Sequence, residues 1–393
     1  MSSAIRHTNT FDNERVDVDA LTLITDVDFY APDSLGHRDV LIAGGEILAI
    51  EAPGSISLDA KVIDGSAKRM MPGLVDALTH PCGGGGEGGF ANRTDEVSVA
   101  SFARAGVTAP IAALGTDSLG RSLEVLYGTV MSLRAQGLRA YMYTGAYRVP
   151  APTLTGDLAK DLYFVEPIIG VGEVAIADHR GTQPTVDELR RLAAECNLAG
   201  VLLGYGGVVF VHVGDGSSRL QLLRDVVSES DLPITALYPT HVNRCRELLD
   251  EAAQWTQHGG FVDITVSTTP ELIAAGDVPA LEALRHLLSA GASAERITFS
   301  SDAGGSLPLY VDGEFGGLKA ATPDCLLNLL ADVATSEPEL FPVVLAGMSK
   351  NPANALKMPG LGRLERGGQA DFLLVDAAST ELIQVYCAGK PLL

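Results

Sequence analysis

Five apolar runs in the middle of this 393-residue chain each carry, at or near their ends, a side chain able to hold a metal ion. They are LVDALTH ending at His80, GVGEVAIADHR with Glu173, GVVFVHVGD with His212, ITALYPTH ending at His241 and ERITFSSD ending at Asp302. Between them lie helix-length segments such as DELRRLAAECNLA (187–199) and PALEALRHLLSA (279–290). From about residue 70 to 355, apolar strands therefore alternate with helices, the pattern of a parallel βα barrel or an open doubly wound sheet. In an open sheet, ligands at strand ends would spread along an edge. In a (β/α)8 TIM barrel the C-terminal ends of the strands share one mouth, so the same residues converge. The expected fold is therefore α/β, a (β/α)8 barrel with its chemistry at that mouth. A lone buried histidine is more often a hydrogen-bonded core residue than a ligand. Three histidines and two carboxylates at strand ends point instead to a site.

The chain ends read differently. RDVLIAGGEILAI (38–50) and KVID (61–64) are short apolar segments punctuated by glycines, and ADFLLVD (370–376) and LIQVYCA (382–388) have the same texture. Such segments suit small strands joined by tight turns. Residues 1–70 and 357–393 are expected to form one small β-sandwich domain, and residues 71–356 the barrel.

Charge and composition exclude several functions. With 28 basic and 49 acidic residues the net charge is −21, which repels phosphate backbones and leaves no basic stripe for nucleic acid. No run approaches the roughly 20 apolar residues that span a bilayer, and the N-terminal MSSAIRHTNTFDNERVDVDALTLI has no apolar stretch of signal-peptide type. Five cysteines stand without CxxC spacing, so neither a disulfide framework nor a cysteine-zinc site is expected. A reducing cytoplasm suits this pattern. No GxGxxG fingerprint leads into a helix, because the glycine quartet 83–86 follows His80 instead.

At several points the residues resemble the amidohydrolase superfamily and, within it, the isoaspartyl dipeptidases. The resemblance runs through PGLVDALTHPCGGGGEGG (72–89), LGTDS (114–118), YTGAYRVP (143–150), IIGVGEVAIADHRG (168–181), HVGDG (212–216), PTHVNR (239–244) and SSDAGGS (300–306). It closes with NPANAL (351–356) and GRLERGGQADFLLVD (362–376). In that family two metals sit in the barrel mouth, held by an HxH pair, a late aspartate, two later histidines and a bridging carboxylated lysine or glutamate. The resemblance assigns the second histidine of HxH to His80, the later pair to His212 and His241, and the aspartate to Asp302. The bridge falls on Glu173 when the segment is registered on DHR and on Gly172 when it is registered on IGV; only glutamate can ligate.

The departure lies at Leu78, where the HxH pattern has its first histidine. Leucine has no lone pair, so the first metal is left with a poor ligand set, while Glu173, His212 and His241 still offer three protein ligands for a catalytic zinc with water in the fourth place. Certain N-acetylglucosamine phosphate deacetylases, which lack the HxH histidines, are similar in working with one metal at this second site. The resemblance thus implies a zinc hydrolase with about one Zn2+ per chain. Asp302 would be general base and then acid, with His80 near it, and Tyr147 would support the oxyanion. It also implies that Arg180 and Arg244 grip carboxylates, that Glu87 receives an α-ammonium group, and that Thr116 and Ser306 make smaller polar contacts. The expected partners are a dipeptide or acidic amide substrate and further copies of the chain in a homo-oligomer. Two other readings stay open: a repurposed enzyme cyclising or opening an aspartyl-derived ring, and a non-catalytic relative. A deliberate replacement at residue 78 of an otherwise binuclear dipeptidase is open as well.

Overall fold

The computed structural model describes residues 21–311 and 314–392. The expectations for residues 1–20, that they hold no signal sequence and open the small β domain, lie outside the described residues.

The N-terminal strands are β1 (Thr22–Tyr30), β2 (Ser34–Ala43), β3 (Glu46–Glu51), β4 (Lys61–Asp64) and β5 (Lys68–Pro72). Eight further strands follow in alternation with helices: β6 (Leu74–Thr79), β7 (Val107–Ala112), β8 (Tyr141–Thr144), β9 (Ile168–Ile176), β10 (Val208–Val213), β11 (Leu237–Thr240), β12 (Val262–Thr265) and β13 (Ile297–Ser300). A hairpin, β14 (Ser306–Val311) and β15 (Glu314–Ala320), leaves the end of β13. The chain finishes on β16 (Phe372–Asp376), β17 (Leu382–Cys387) and β18 (Lys390–Pro391).

Both chain ends do meet in one sheet, ordered β18-β17-β16-β5-β1-β2-β3, with β4 as a branch from β1. The branch has a local cause. The β1–β2 register slips between Ile24 and Val27, and Asp26 at the bulge has φ of 53°, so β1 pairs with β4 before the bulge and with β5 after it. Asp39 holds the bend by accepting from the Asp26 and Gly54 amides at 2.9 and 2.8 Å. The sheet wraps a core of its own that includes Ile24, Phe29, Val40, Ile47, Met70 and Phe372.

Most barrel strands are buried from end to end, as in β9 (IIGVGEVAI) and β10 (VVFVHV), because helices cover one face and the packed barrel interior the other. Strands β6 to β11 form one parallel sheet and β12 and β13 a parallel pair. The ring closes through side chains as well as backbone. Tyr238 on β11 bonds Thr298 on β13 at 2.5 Å, and Asp263 on β12 accepts from Thr240, Thr298 and Ser300 at 2.5 to 2.7 Å. On the other side of the opening, Thr79 bridges Ala303 and Asp76 accepts from the Ser301 amide at 3.0 Å. The covering helices are set by ordinary start and stop signals. Helix Val186–Leu203 begins with a reciprocal Thr185/Glu188 capping box and ends at Gly204, whose φ of 82° is favourable only for glycine. Turns of this kind deliver each strand to the barrel with its last residues at the same rim.

Candidate metal and substrate centre

Glu173 from β9, His212 from β10 and His241 just past β11 arrive together beneath that rim. One ligand atom from each lies within 4.8 Å of the others, and all three side chains are buried. Glu173 Oε1 is 2.8 Å from His212 Nδ1 and 3.1 Å from His241 Nε2. Burial opposes ionisation of Glu173, yet the two histidines hold its carboxyl well below the usual range. Burial and the neighbouring His212 push His241 down to about 4, so it is neutral near pH 7 and has a lone pair to offer. His241 Nδ1 meets Thr265 Oγ1 at 2.5 Å, which orients the ring with Nε2 towards Glu173.

A metal ion fits this donor set. Among the described residues Glu173 Oε2 is buried without a hydrogen-bond partner, the His80 ring standing beyond hydrogen-bond reach at 3.6 Å, so a lone pair of this oxygen is left for a metal. One carboxylate and two imidazoles are also ligands that zinc accepts while keeping a position open. Two residues at this rim are held in the left-handed backbone region, His241 at φ 59° and Asp302 at φ 55°. Such strain costs on the order of 1–3 kcal/mol per residue and persists where the surroundings enforce a functional geometry.

His80 lies apart from the triad. Its Nε2 is 3.0 Å from Asp302 Oδ1 and 3.6 Å from Glu173 Oε2, and its Nδ1 faces the Ala113 carbonyl at 3.1 Å. Burial alone would lower its pKa, but the paired Asp302 and Glu173 raise it to about 9, so His80 is an imidazolium facing a carboxylate. Gly305 makes this pair possible, since a Cβ there would come within 2.4 Å of Asp302 Oδ1. Leu78 is fully buried and packs in an apolar layer of the barrel with Ala113, Tyr143, Phe210 and Tyr238.

The remaining residues singled out in the sequence gather above the triad. Glu87, Thr116, Tyr147, Arg180, Arg244 and Ser306 line, with His80, His212 and Asp302, a cavity of about 50 Å³. Tyr147 places its hydroxyl 2.7 Å from His212 Nδ1, and burial pushes its pKa well above the ordinary phenol value, so it stays a donor. Arg180 Nη1 reaches Glu87 Oε1 at 3.2 Å, while Glu87 Oε2 is buried and unpartnered. Thr116 Oγ1 donates to the Gly85 carbonyl at 3.4 Å, and Arg244 Nε to that of Val213 at 3.0 Å. Beside this cavity, Glu87, Phe90, Arg93, Asp117 and Leu119 border a wider cleft of about 500 Å³.

Sequence reasoning passed over two residues that build this arrangement. Asp178 sets one carboxylate oxygen 2.9 Å from His212 Nε2 and 2.7 Å from Arg180 Nη2, tying the triad to the arginine. Burial opposes its charge, but His212 and Arg180 hold its carboxyl far below the usual range. Its signal was present in ADHR, two residues before Arg180. Arg121 donates to the carbonyls of Cys82, Gly84 and Thr94 at 3.0, 3.0 and 3.2 Å and so clamps the glycine loop that carries Glu87. No local pattern marks it.

Comparison with known proteins gives the family and the fold. Residues 69–392 match the profile described as Amidohydrolase family. The chain is similar to the β-aspartyl dipeptidase of the thermophilic keratin degrader Fervidobacterium islandicum AW-1 in complex with a β-Asp-Leu dipeptide. The identity is 34%, over 94% of this chain and 96% of that one, with a TM-score of 0.86. A second structure of β-aspartyl dipeptidase from the same organism gives 32% identity over 95% and 97% of the two chains, with a TM-score of 0.85. A curated relative, the structural polyprotein of infectious pancreatic necrosis virus (strain Jasper), is 31% identical over 133 residues, a match that takes in 29% of this chain and only 13% of the polyprotein.

Proposed function

The chain belongs to the amidohydrolase family, and from that premise we propose that it hydrolyses the isopeptide bond of β-aspartyl dipeptides or a related acidic amide with one divalent ion, zinc. The observation that carries this reading is the buried Glu173, His212 and His241 cluster with its unpartnered Glu173 oxygen, set below two arginines and an unpartnered glutamate oxygen. The two β-aspartyl dipeptidase structures support the substrate class. We also take residues 71–356 as the hydrolase domain and 1–70 with 357–393 as the small β domain. Among the described residues no helix is long and apolar enough to cross a membrane, and the five cysteines are free, which suits work in the cytoplasm; the family resemblance favours a homo-oligomer.

Glu173, His212 and His241 would hold the ion. When bound, a zinc ion there supplies Lewis acidity, polarising the scissile carbonyl and easing deprotonation of water. The rest follows from this chain's own groups. Asp302 takes the proton of the attacking water and returns it to the leaving amine, while the His80 imidazolium at 3.0 Å steadies its charge. The un-ionised Tyr147 hydroxyl donates to the oxyanion as it develops. Arg180, pinned by Asp178, and Arg244 bind substrate carboxylates, and Glu87 accepts the α-ammonium on its free oxygen. Thr116 and Ser306 complete the wall around the aspartyl group. A single ion is favoured because Leu78 offers no ligand and the His80 Nε2 faces Asp302.

Plasma mass spectrometry on protein purified without chelators, combined with assay of β-Asp-Leu, tests this. About one zinc per chain is expected, with hydrolysis of the dipeptide, and His241→Asn should lose both. Turnover retained by His241→Asn, or a wild-type chain that takes up no zinc, would overturn the mechanism.

A further inference from the structure

Beyond Arg244 the site opens into a second cavity of about 190 Å³ that the hydrolytic steps leave unassigned. It adjoins the aspartyl cavity through Arg180, Arg244, Asp302 and Ser306, so a residue leaving from the scissile amide would extend into it. Its walls are of two kinds. Leu272, Leu307 and Pro308 are apolar, whereas Ser267, Thr268 and Asp277 are polar.

Two polar groups here have no hydrogen-bond partner among the described residues. Ser267 Oγ is buried without a hydrogen bond. The half-buried Asp277 carboxylate has no ion pair or side-chain hydrogen bond among the described residues; Arg244 attracts it from beyond ion-pair distance and Asp215 repels it. Once Arg244 is neutralised by a substrate carboxylate, Asp277 and Asp215 leave this end of the site negative. The net charge of −21 adds to that sign.

Given the dipeptidase reading above, on which this step rests, we propose that Asp277 is a specificity-determining residue that selects a leaving amino acid with a cationic side chain. The alkyl stem of a lysine or arginine would lie along Leu272, Leu307 and Pro308, as long basic side chains do on apolar surface. Its charged head would reach the Asp277 carboxylate, and Ser267 offers a hydroxyl beside it. An aliphatic leaving residue fills the same space but leaves Asp277 unpaired.

The test compares kcat/KM of the zinc-loaded full chain for β-aspartyl-lysine and β-aspartyl-leucine. The wild type should prefer the lysyl dipeptide by about tenfold, and Asp277→Asn should reduce that preference to about twofold or less. Asp277→Glu should keep its direction. Equal wild-type efficiencies, or a preference unchanged in Asp277→Asn, would overturn the assignment of Asp277. Equal wild-type efficiencies would overturn the assignment even where Asp277→Asn fails to fold, and Asp277→Ser, which removes the charge with a smaller polar side chain, is the second variant that must lose the preference. No turnover of either dipeptide would instead overturn the dipeptidase reading, and this assignment with it.

Discussion

Replacing Asp76 by asparagine should change how the stability of the chain depends on pH, by an amount the barrel seam sets. Asp76 on β6 is fully buried and accepts from the Ser301 amide at 3.0 Å and from the Ser301 hydroxyl, which ties the first barrel strand to the segment after the last. Burial pushes its carboxyl up to about 7 in spite of those bonds. An aspartate in the unfolded chain titrates at about 3.9. The native state therefore keeps a proton that the unfolded chain has already lost. The stabilising contribution is complete below the unfolded value and is lost as pH rises through about 7. At about 1.4 kcal/mol per pH unit the full effect is about 4 kcal/mol, of which roughly 2.5 kcal/mol falls between pH 5 and 8. The side-chain amide of the Asp76→Asn variant has no such titration, while Asp263, raised by burial to about 6, titrates in both proteins and largely cancels. Urea unfolding at pH 5, 6, 7 and 8 should show the variant gaining about 2.5 kcal/mol on the wild type across that range. Parallel pH profiles for the two proteins would refute the buried, proton-retaining Asp76.

Two further substitutions probe the site. Leu78→His places an imidazole beside His80: without metal it should cost about 2–3 kcal/mol in stability through lost packing and an unpaired polar ring, and with zinc it should raise metal content from about one towards two per chain. Unchanged stoichiometry by plasma mass spectrometry would show that the first metal position needs more than the missing ligand. Gly305→Ala drives a Cβ to within 2.4 Å of Asp302 Oδ1 and should lower kcat about 100-fold with zinc content preserved; a wild-type kcat would remove Asp302 from proton transfer.

What could be read in the chain follows from local physics. A strand buried on both faces is a short continuous apolar run, a helix between strands has its own period, and the ligands sit at or near the run ends except Glu173, which interrupts its run, so a sequence met one segment at a time already points to the barrel and its rim. His80, Glu173, His212, His241 and Asp302 were legible for that reason. The β-sheet of the two chain ends was legible too, but its branch at Asp26 was not, because a bulge depends on register with a partner strand.

Tertiary structure alone decided the relations between those residues. That His80 faces Asp302 rather than completing the Glu173 cluster is a matter of fractions of an ångström across strands 222 positions apart in the chain, at 3.0 against 3.6 Å. The roles of Asp178 between His212 and Arg180, of Arg121 on the glycine loop and of Asp277 in the outer cavity likewise depend on which backbone each side chain meets. A lone Asp or Arg carries no periodicity, so beyond a hint such as Asp178 standing beside Arg180 in ADHR, a positioning residue looks like a solvated one until packing removes the water around it and leaves a specific partner within reach.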